Sequence, residues 1–220
     1  MVNRPAGGAR SQKWERTNYD WYVEPPRAVE QLLDAVDFGD DLIWDPTCGS
    51  GNVLDVAKQW GHPTVGSDII DRQPRHRFIR SDVFALSKMP KSGERQTSVI
   101  CNPPYSYRPN IAERVIIHLL EAFPLHRAAF IVPIAFLAGQ QRWSKARLGR
   151  FKRSHVGVYL ERHTMPPGDK IAQMTSPFEG GMQDYCAIIY TRPHKWRTEF
   201  IDLQPGHRIP RALRSGKTGD

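Results

Sequence analysis

Short apolar runs alternate with stretches whose apolar residues recur at helical spacing, a pattern that predicts an α/β fold around a largely parallel sheet. Ala28, Val29, Leu32, Leu33 and Val36 share one face of a helix starting near Pro25-Pro26, since proline is tolerated in a first helical turn. Asp41–Asp45 is a short strand ending in an acid, and a glycine-rich turn leads from it into a helix from about Asn52 to Trp60. Thr64–Asp68 and the weaker Phe78–Asp82 are further strands that end in acids, and Thr97–Cys101 is a fourth. A helix over Ile111–Phe123 precedes the most apolar strand, Ala128–Ile134. Residues 138–150 read as a basic helix, His155–Leu160 as a strand, 161–183 as a long Pro, Gly and Met-containing loop, and Tyr185–Tyr190 as the last strand. The expected organisation is a lead-in over 1–18 without a stable fold, one catalytic domain over 19–192 and a basic tail over 193–220.

Charge adds a direction. The formal net charge is +8, and residues 140–220 hold 15 basic against 7 acidic residues, so the whole excess lies in the last third. A basic end on a neutral body suits a polyanion, although a solvated basic surface has the same composition. No apolar run is long enough to span a bilayer and the first 20 residues lack a signal-peptide core, so no membrane partner and a cytoplasmic location are expected. Cys48, Cys101 and Cys186 are widely spaced and form no CxxC pair, which argues against a disulfide framework and a metal site.

The chemistry is concentrated in two loops. In Asp45-Pro46-Thr47-Cys48-Gly49-Ser50-Gly51 the glycines lack a Cβ and permit positive φ, so backbone can approach a ligand closely at the end of the first strand. Ligands of open parallel sheets lie across the carboxyl ends of the strands, which places Asp68 to accept from two ribose hydroxyls and Asp82 from an adenine amino group. Each acid alone also suits a turn or a helix cap. After the fourth strand comes Asn102-Pro103-Pro104-Tyr105. The two prolines stiffen this loop, and the Asn102 side-chain oxygen with the Pro103 carbonyl can accept both hydrogens of one amine. Those oxygens favour the positive charge that grows on nitrogen as it attacks an electrophile. Tyr105 offers a face on which a flipped purine stacks.

These two motifs, in this order, resemble those of the class I S-adenosylmethionine (AdoMet)-dependent amino-methyltransferases, and most of all bacterial and phage DNA adenine-N6 methyltransferases. The resemblance spans roughly residues 18–192. It implies a Rossmann-like fold with a mostly parallel seven-stranded sheet, the last strand antiparallel, and helices on both faces. It implies AdoMet as cofactor, held by Asp45, Thr47, Gly49, Gly51, Asp68, Ile69, Asp82, Val83 and Asn102, with Asn102, Pro103, Pro104 and Tyr105 as the catalytic loop. Relatives carry a Thr-Pro before the first strand that meets the methionine end of the cofactor; here Glu24-Pro25 occupies that place, and its carboxylate either meets the AdoMet amino group or faces solvent.

A separate target-recognition domain has no room, so a partner chain or a homodimer is one way to supply recognition. Within the chain, Arg108, Gln141, Arg142, Lys145, Arg147 and loop 161–183 are the candidates for DNA contact, although Arg142 and Trp143 equally suit a surface helix packing on the sheet. Competing readings are an RNA adenine or guanine-N2 methyltransferase, a protein glutamine methyltransferase, and an inactive nucleic-acid-binding protein of the same fold. Cytosine N4 is disfavoured because related cytosine enzymes carry serine in place of Asn102.

Overall fold

The computed structural model describes residues 21–105, 108–181, 183–194 and 197–204; the expected lead-in and most of the basic tail lie outside them. Strands β1 (Leu42–Asp45), β2 (Thr64–Asp68), β3 (Arg77–Arg80), β4 (Thr97–Cys101), β5 (Arg127–Pro133), β6 (His155–Tyr159), β7 (Tyr185–Thr191) and β8 (Glu199–Leu203) form one sheet in the order β3-β2-β1-β4-β5-β7-β6-β8. Neighbours are parallel except β7, which runs antiparallel to both β5 and β6.

Helices cover both faces. Helices α1 (Pro26–Ala35) and α2 (Asn52–Gln59) bury Val29, Leu32, Val53 and Leu54 against Ile43, Ile100, Ile131 and Ile189. Helix α3 (Ile111–Ala122) buries Ile111, Val115, Ile116 and Leu119 on the other face, against Trp44, Val99, Phe130 and Ile188. Adjacent residues of β1 (Ile43, Trp44), of β4 (Val99, Ile100) and of β5 (Phe130, Ile131) thus go to opposite cores, which explains why those strands read as continuous apolar runs. Several polar groups inside are paired: Trp44 Nε1 donates to Ser67 Oγ at 3.0 Å, and Ser98 Oγ and His126 Nδ1 both lie on Asp41 Oδ2, at 2.5 and 2.7 Å. Among the described residues no helix is long and apolar enough to cross a membrane.

Two expectations are corrected. The sheet has eight strands, not seven: β8 lies in the basic tail and pairs with β6 in parallel, with Phe200 exposed and Leu203 buried. Residues 138–150 are not an α-helix but a chain of turns ending in a 3-10 turn over Leu148–Arg150. The backbone folds back so far that a Cβ on Gly149 would collide with the Trp143 carbonyl oxygen, and Gly139 takes φ +113°. What holds this fold is Glu113 of α3, a buried carboxylate paired with Arg147 Nε at 2.5 Å and Arg142 Nε at 3.8 Å.

Candidate active site

The order reverses at β1: the chain goes outward to β2 on one side and returns to β4 on the other, so the carboxyl ends of β1 and β4 flank a crevice. From β1 comes the turn after Asp45. Gly49 and Gly51 take φ +54° and +94°, and Gly51 is the N-cap of α2. Asp45 is buried beneath the turn and accepts from Thr47 N at 3.1 Å. From β2 comes Asp68, whose Oδ2 accepts from Gly49 N at 2.9 Å and whose Oδ1 accepts from Ile70 N at 3.0 Å. Asp82 lies just past β3 and caps the turn Val83–Ala85 by accepting from Phe84 N at 3.0 Å. Asn102 follows β4 directly.

The walls of this crevice bring together Glu24, Thr47, Gly49, Asp68, Ile69, Asp82, Val83, Asn102 and Pro104 from the residues singled out by sequence. Pro25 is the N-cap of α1 and Gly51 that of α2, while Asp45 and Pro103 are buried. Tyr105 is placed differently from a free stacking platform. Its ring packs on the core beneath α3, and its hydroxyl lies 2.5 Å from Asn102 Oδ1 and 2.6 Å from the Ile131 carbonyl oxygen.

Glu24 faces inward. It is only 6% exposed, and its Oε2 accepts from Asn102 Nδ2 at 3.1 Å. Burial raises its carboxyl from 4.5 to about 7, with hydrogen bonds, including that from Asn102, opposing the shift. Asp45 is also pushed well up, by burial first and then by the Glu24 charge. Glu24, Asp45 and Asp68 therefore crowd together, and the cation paired with them among the described residues is Arg72, 3.2 Å from Asp68. Such a site favours a ligand carrying positive charge.

A raised carboxyl pKa has a testable sign. The neutral carboxyl of Glu24 is favoured by the fold, so its stabilising contribution is complete below 4.5 and is lost as pH rises through about 7. Ionisation above that point costs about 3 kcal/mol. Glu24→Gln, neutral throughout, is expected to match the ligand-free wild type near about pH 4 and exceed it above about pH 8 by that amount, as read from denaturant unfolding midpoints. Equal midpoints at the higher pH would show that the carboxyl is not buried as described.

Sequence reasoning missed the cover of the site. Tyr22 forms an antiparallel bridge with Pro167, Val23 N donates to Pro166 O at 2.9 Å, and Gly168 N donates to Trp21 O at 2.9 Å. The Trp21 indole lies on Gly49, where a Cβ would come within 2.7 Å of its Nε1, and the Arg72 guanidinium carbon sits 4.5 Å above the ring centroid. Part of loop 161–183 is thus strapped over the glycine-rich turn by the segment before α1. The signal available in the sequence was Trp21-Tyr22 beside Glu24-Pro25, an aromatic pair with no helical or strand period.

No protein-family model matches the sequence, and no curated protein is similar to it by sequence. Solved structures are similar in fold. A type I restriction-modification system methyltransferase subunit from Streptococcus thermophilus superposes with a TM-score of 0.53 at 17% identity, over 85% of this chain and 48% of that one. The two share a fold. This chain spans about half the length of that subunit. Weaker likenesses are a dimethyladenosine transferase from Plasmodium falciparum (TM-score 0.49, 15% identity, 76% of this chain and 62% of that one) and a magnesium protoporphyrin IX methyltransferase from Synechocystis PCC 6803 with bound AdoMet (TM-score 0.44, 17% identity, 74% of each chain).

The basic candidates separate by environment. Gln141 and Lys145 are exposed, and Arg108 is exposed at the turn into α3. Arg142 and Arg147 are turned inward to Glu113, and Arg142 also donates to the Phe136 and Ala138 carbonyls at 3.0 and 2.6 Å while stacking on Phe136. Removing one member of a buried ion pair leaves the others uncompensated. Glu113→Ala is expected to cost about 3 kcal/mol and to expose segment 138–150 to protease; unchanged proteolysis would refute its role as the anchor.

Proposed function

We propose that the chain transfers a methyl group from AdoMet to the exocyclic N6 amine of adenine in DNA, with the base flipped into the crevice. The observation that carries this reading is the position of Asn102. It stands at the carboxyl end of β4, on the wall shared with Asp68 and Asp82, with its side-chain oxygen turned to Tyr105 and its nitrogen held by protein acceptors.

The residues fit the cofactor. Gly49 and Gly51 leave backbone open to close approach, Asp68 and Asp82 offer acceptors for ribose hydroxyls and an adenine amine, and Ile69 and Val83 offer apolar contact for a purine ring. Burial and mutual repulsion disfavour the ionised forms of Glu24 and Asp45 beside Asp68, and a ligand that carries a sulfonium and an ammonium group offsets that cost. The cofactor supplies an electrophilic methyl group. Asn102 Oδ1, with the Pro103 carbonyl as second acceptor, orients the amine's hydrogens so that its lone pair faces that carbon. The N–C bond forms as the S–C bond breaks, positive charge appears on nitrogen next to fixed oxygens, and the amine's proton leaves to solvent.

DNA is favoured by the basic excess of the last third and by the restriction-modification subunit whose fold this chain shares. The test is transfer of labelled methyl from AdoMet to duplex DNA, single-stranded DNA and total RNA, followed by nucleoside digestion and mass spectrometry. N6-methyladenine from DNA is the expected product. Label confined to RNA would move the substrate to RNA, and no label in any nucleic acid would remove it from this substrate class.

A further inference from the structure

The Asn102 amide is held from both ends. Its Nδ2 lies 3.1 Å from the Tyr22 carbonyl oxygen, 3.1 Å from Glu24 Oε2 and 3.8 Å from Met165 Sδ, while Oδ1 faces the Tyr105 hydroxyl at 2.5 Å. An amide nitrogen has two hydrogens to donate, and the Tyr22 carbonyl and the Glu24 carboxylate take both. The reversed amide would set Oδ1 against a carbonyl that has no proton and against a carboxylate, two acceptor–acceptor contacts in a buried place. The Tyr105 proton then lies between Oδ1 and the Ile131 carbonyl, and Oδ1 keeps a second lone pair.

We infer, on the methyl-transfer reading above, that Glu24 is a positioning residue: with the Tyr22 carbonyl it fixes the Asn102 amide so that the wall of the crevice presents an oxygen, which selects a substrate atom bearing N–H. This gives the buried carboxylate a role through hydrogen bonding rather than through charge alone. It also accounts for its inward placement at the foot of α1, where the segment before the helix crosses the end of β4. A glutamine in its place still offers a side-chain oxygen to Nδ2, and an alanine does not.

The test uses the full chain at about pH 8, where the wild-type carboxyl is ionised. In ligand-free protein, the Asn102 side-chain amide protons, assigned by their loss in N102A, are expected to exchange with solvent about tenfold faster in Glu24→Ala and at the wild-type rate in Glu24→Gln. At saturating AdoMet, kcat should fall about tenfold in E24A and recover in E24Q, while any change in cofactor Kd from the lost charge is shared by both variants. If E24A does not fold, Glu24→Ser, polar but too short to reach Nδ2, takes its place. Exchange in E24A as slow as in the wild type, or E24Q losing kcat as far as E24A, overturns the inference. A wild type that methylates no substrate tells against the methyl-transfer reading, and the exchange rates still decide the positioning role.

Discussion

Asn102→Ala is expected to reduce methyl transfer by about 10²–10³-fold while AdoMet binding stays within about threefold. On the proposed reading the two effects separate, because the acceptors assigned to the cofactor stand on β1, β2 and the turn after β3, whereas Asn102 is assigned to the amine. Loss of one preorganised dipole aimed at a developing charge acts on the transition state more than on the bound ground state, so the loss belongs in kcat. The substitution also strands the Tyr105 hydroxyl and Glu24 Oε2, each of which loses a partner. Neither loss is total, because Tyr105 retains the Ile131 carbonyl and Glu24 is protonated near neutral pH at little cost. Calorimetric titration with AdoMet beside the labelled-methyl assay checks both halves. An Asn102→Ala protein that folds but no longer binds AdoMet would move Asn102 from the substrate wall to the cofactor wall.

What was legible in the sequence follows from how local each signal is. Asp45, Gly49, Gly51, Asp68 and Asn102 sit at junctions where a strand ends and the chain turns, and one apolar run fixes both the strand and the place of the residue after it. The central strands announced themselves because they are buried on both faces. Segment 138–150 misled for the opposite reason. Its Gln, Arg, Lys, Ala and Leu are good helix formers, but Arg142 and Arg147 are drawn to Glu113 on a different element, and a long-range ion pair leaves no trace in local propensity. Strand β8 was hidden because only Leu203 of its five residues is buried, so an edge strand with one solvated face reads as a polar tail. The strap of Trp21 over Gly49 and Gly168 depends on glycines from two distant loops meeting one indole, which no spacing along the chain encodes. The inward turn of Glu24 belongs with these. Its sequence position marked it as a departure from the family pattern, and only the packing of α1 against the end of β4 shows where its carboxylate goes.

Asp68→Ala is expected to weaken AdoMet binding about 100-fold, from the loss of two charge-assisted hydrogen bonds of about 1.5 kcal/mol each. The lone pairs of Asp68 make a sharper statement. Oδ1 accepts from Ile70 N and from Arg72, and Oδ2 accepts from Gly49 N, which leaves one vacant acceptor position among the described contacts. Two ribose hydroxyls need two, so Arg72 must give up its bond when both are accepted. Arg72→Ala is therefore expected to leave AdoMet affinity unchanged or raise it a few-fold, in contrast to the loss expected if the guanidinium itself held the cofactor. Asp68→Asn is not a conservative control, because its amide nitrogen would face either the Gly49 or the Ile70 N–H, donor against donor, and unpin the turn. The measurement is AdoMet Kd for D68A and R72A, with thermal unfolding to separate loss of the site from loss of the fold. If D68A binds as tightly as the wild type, the ribose does not lie at the end of β2; if R72A loses affinity as far as D68A, the ion pair, and not the freed carboxylate, is the cofactor's partner.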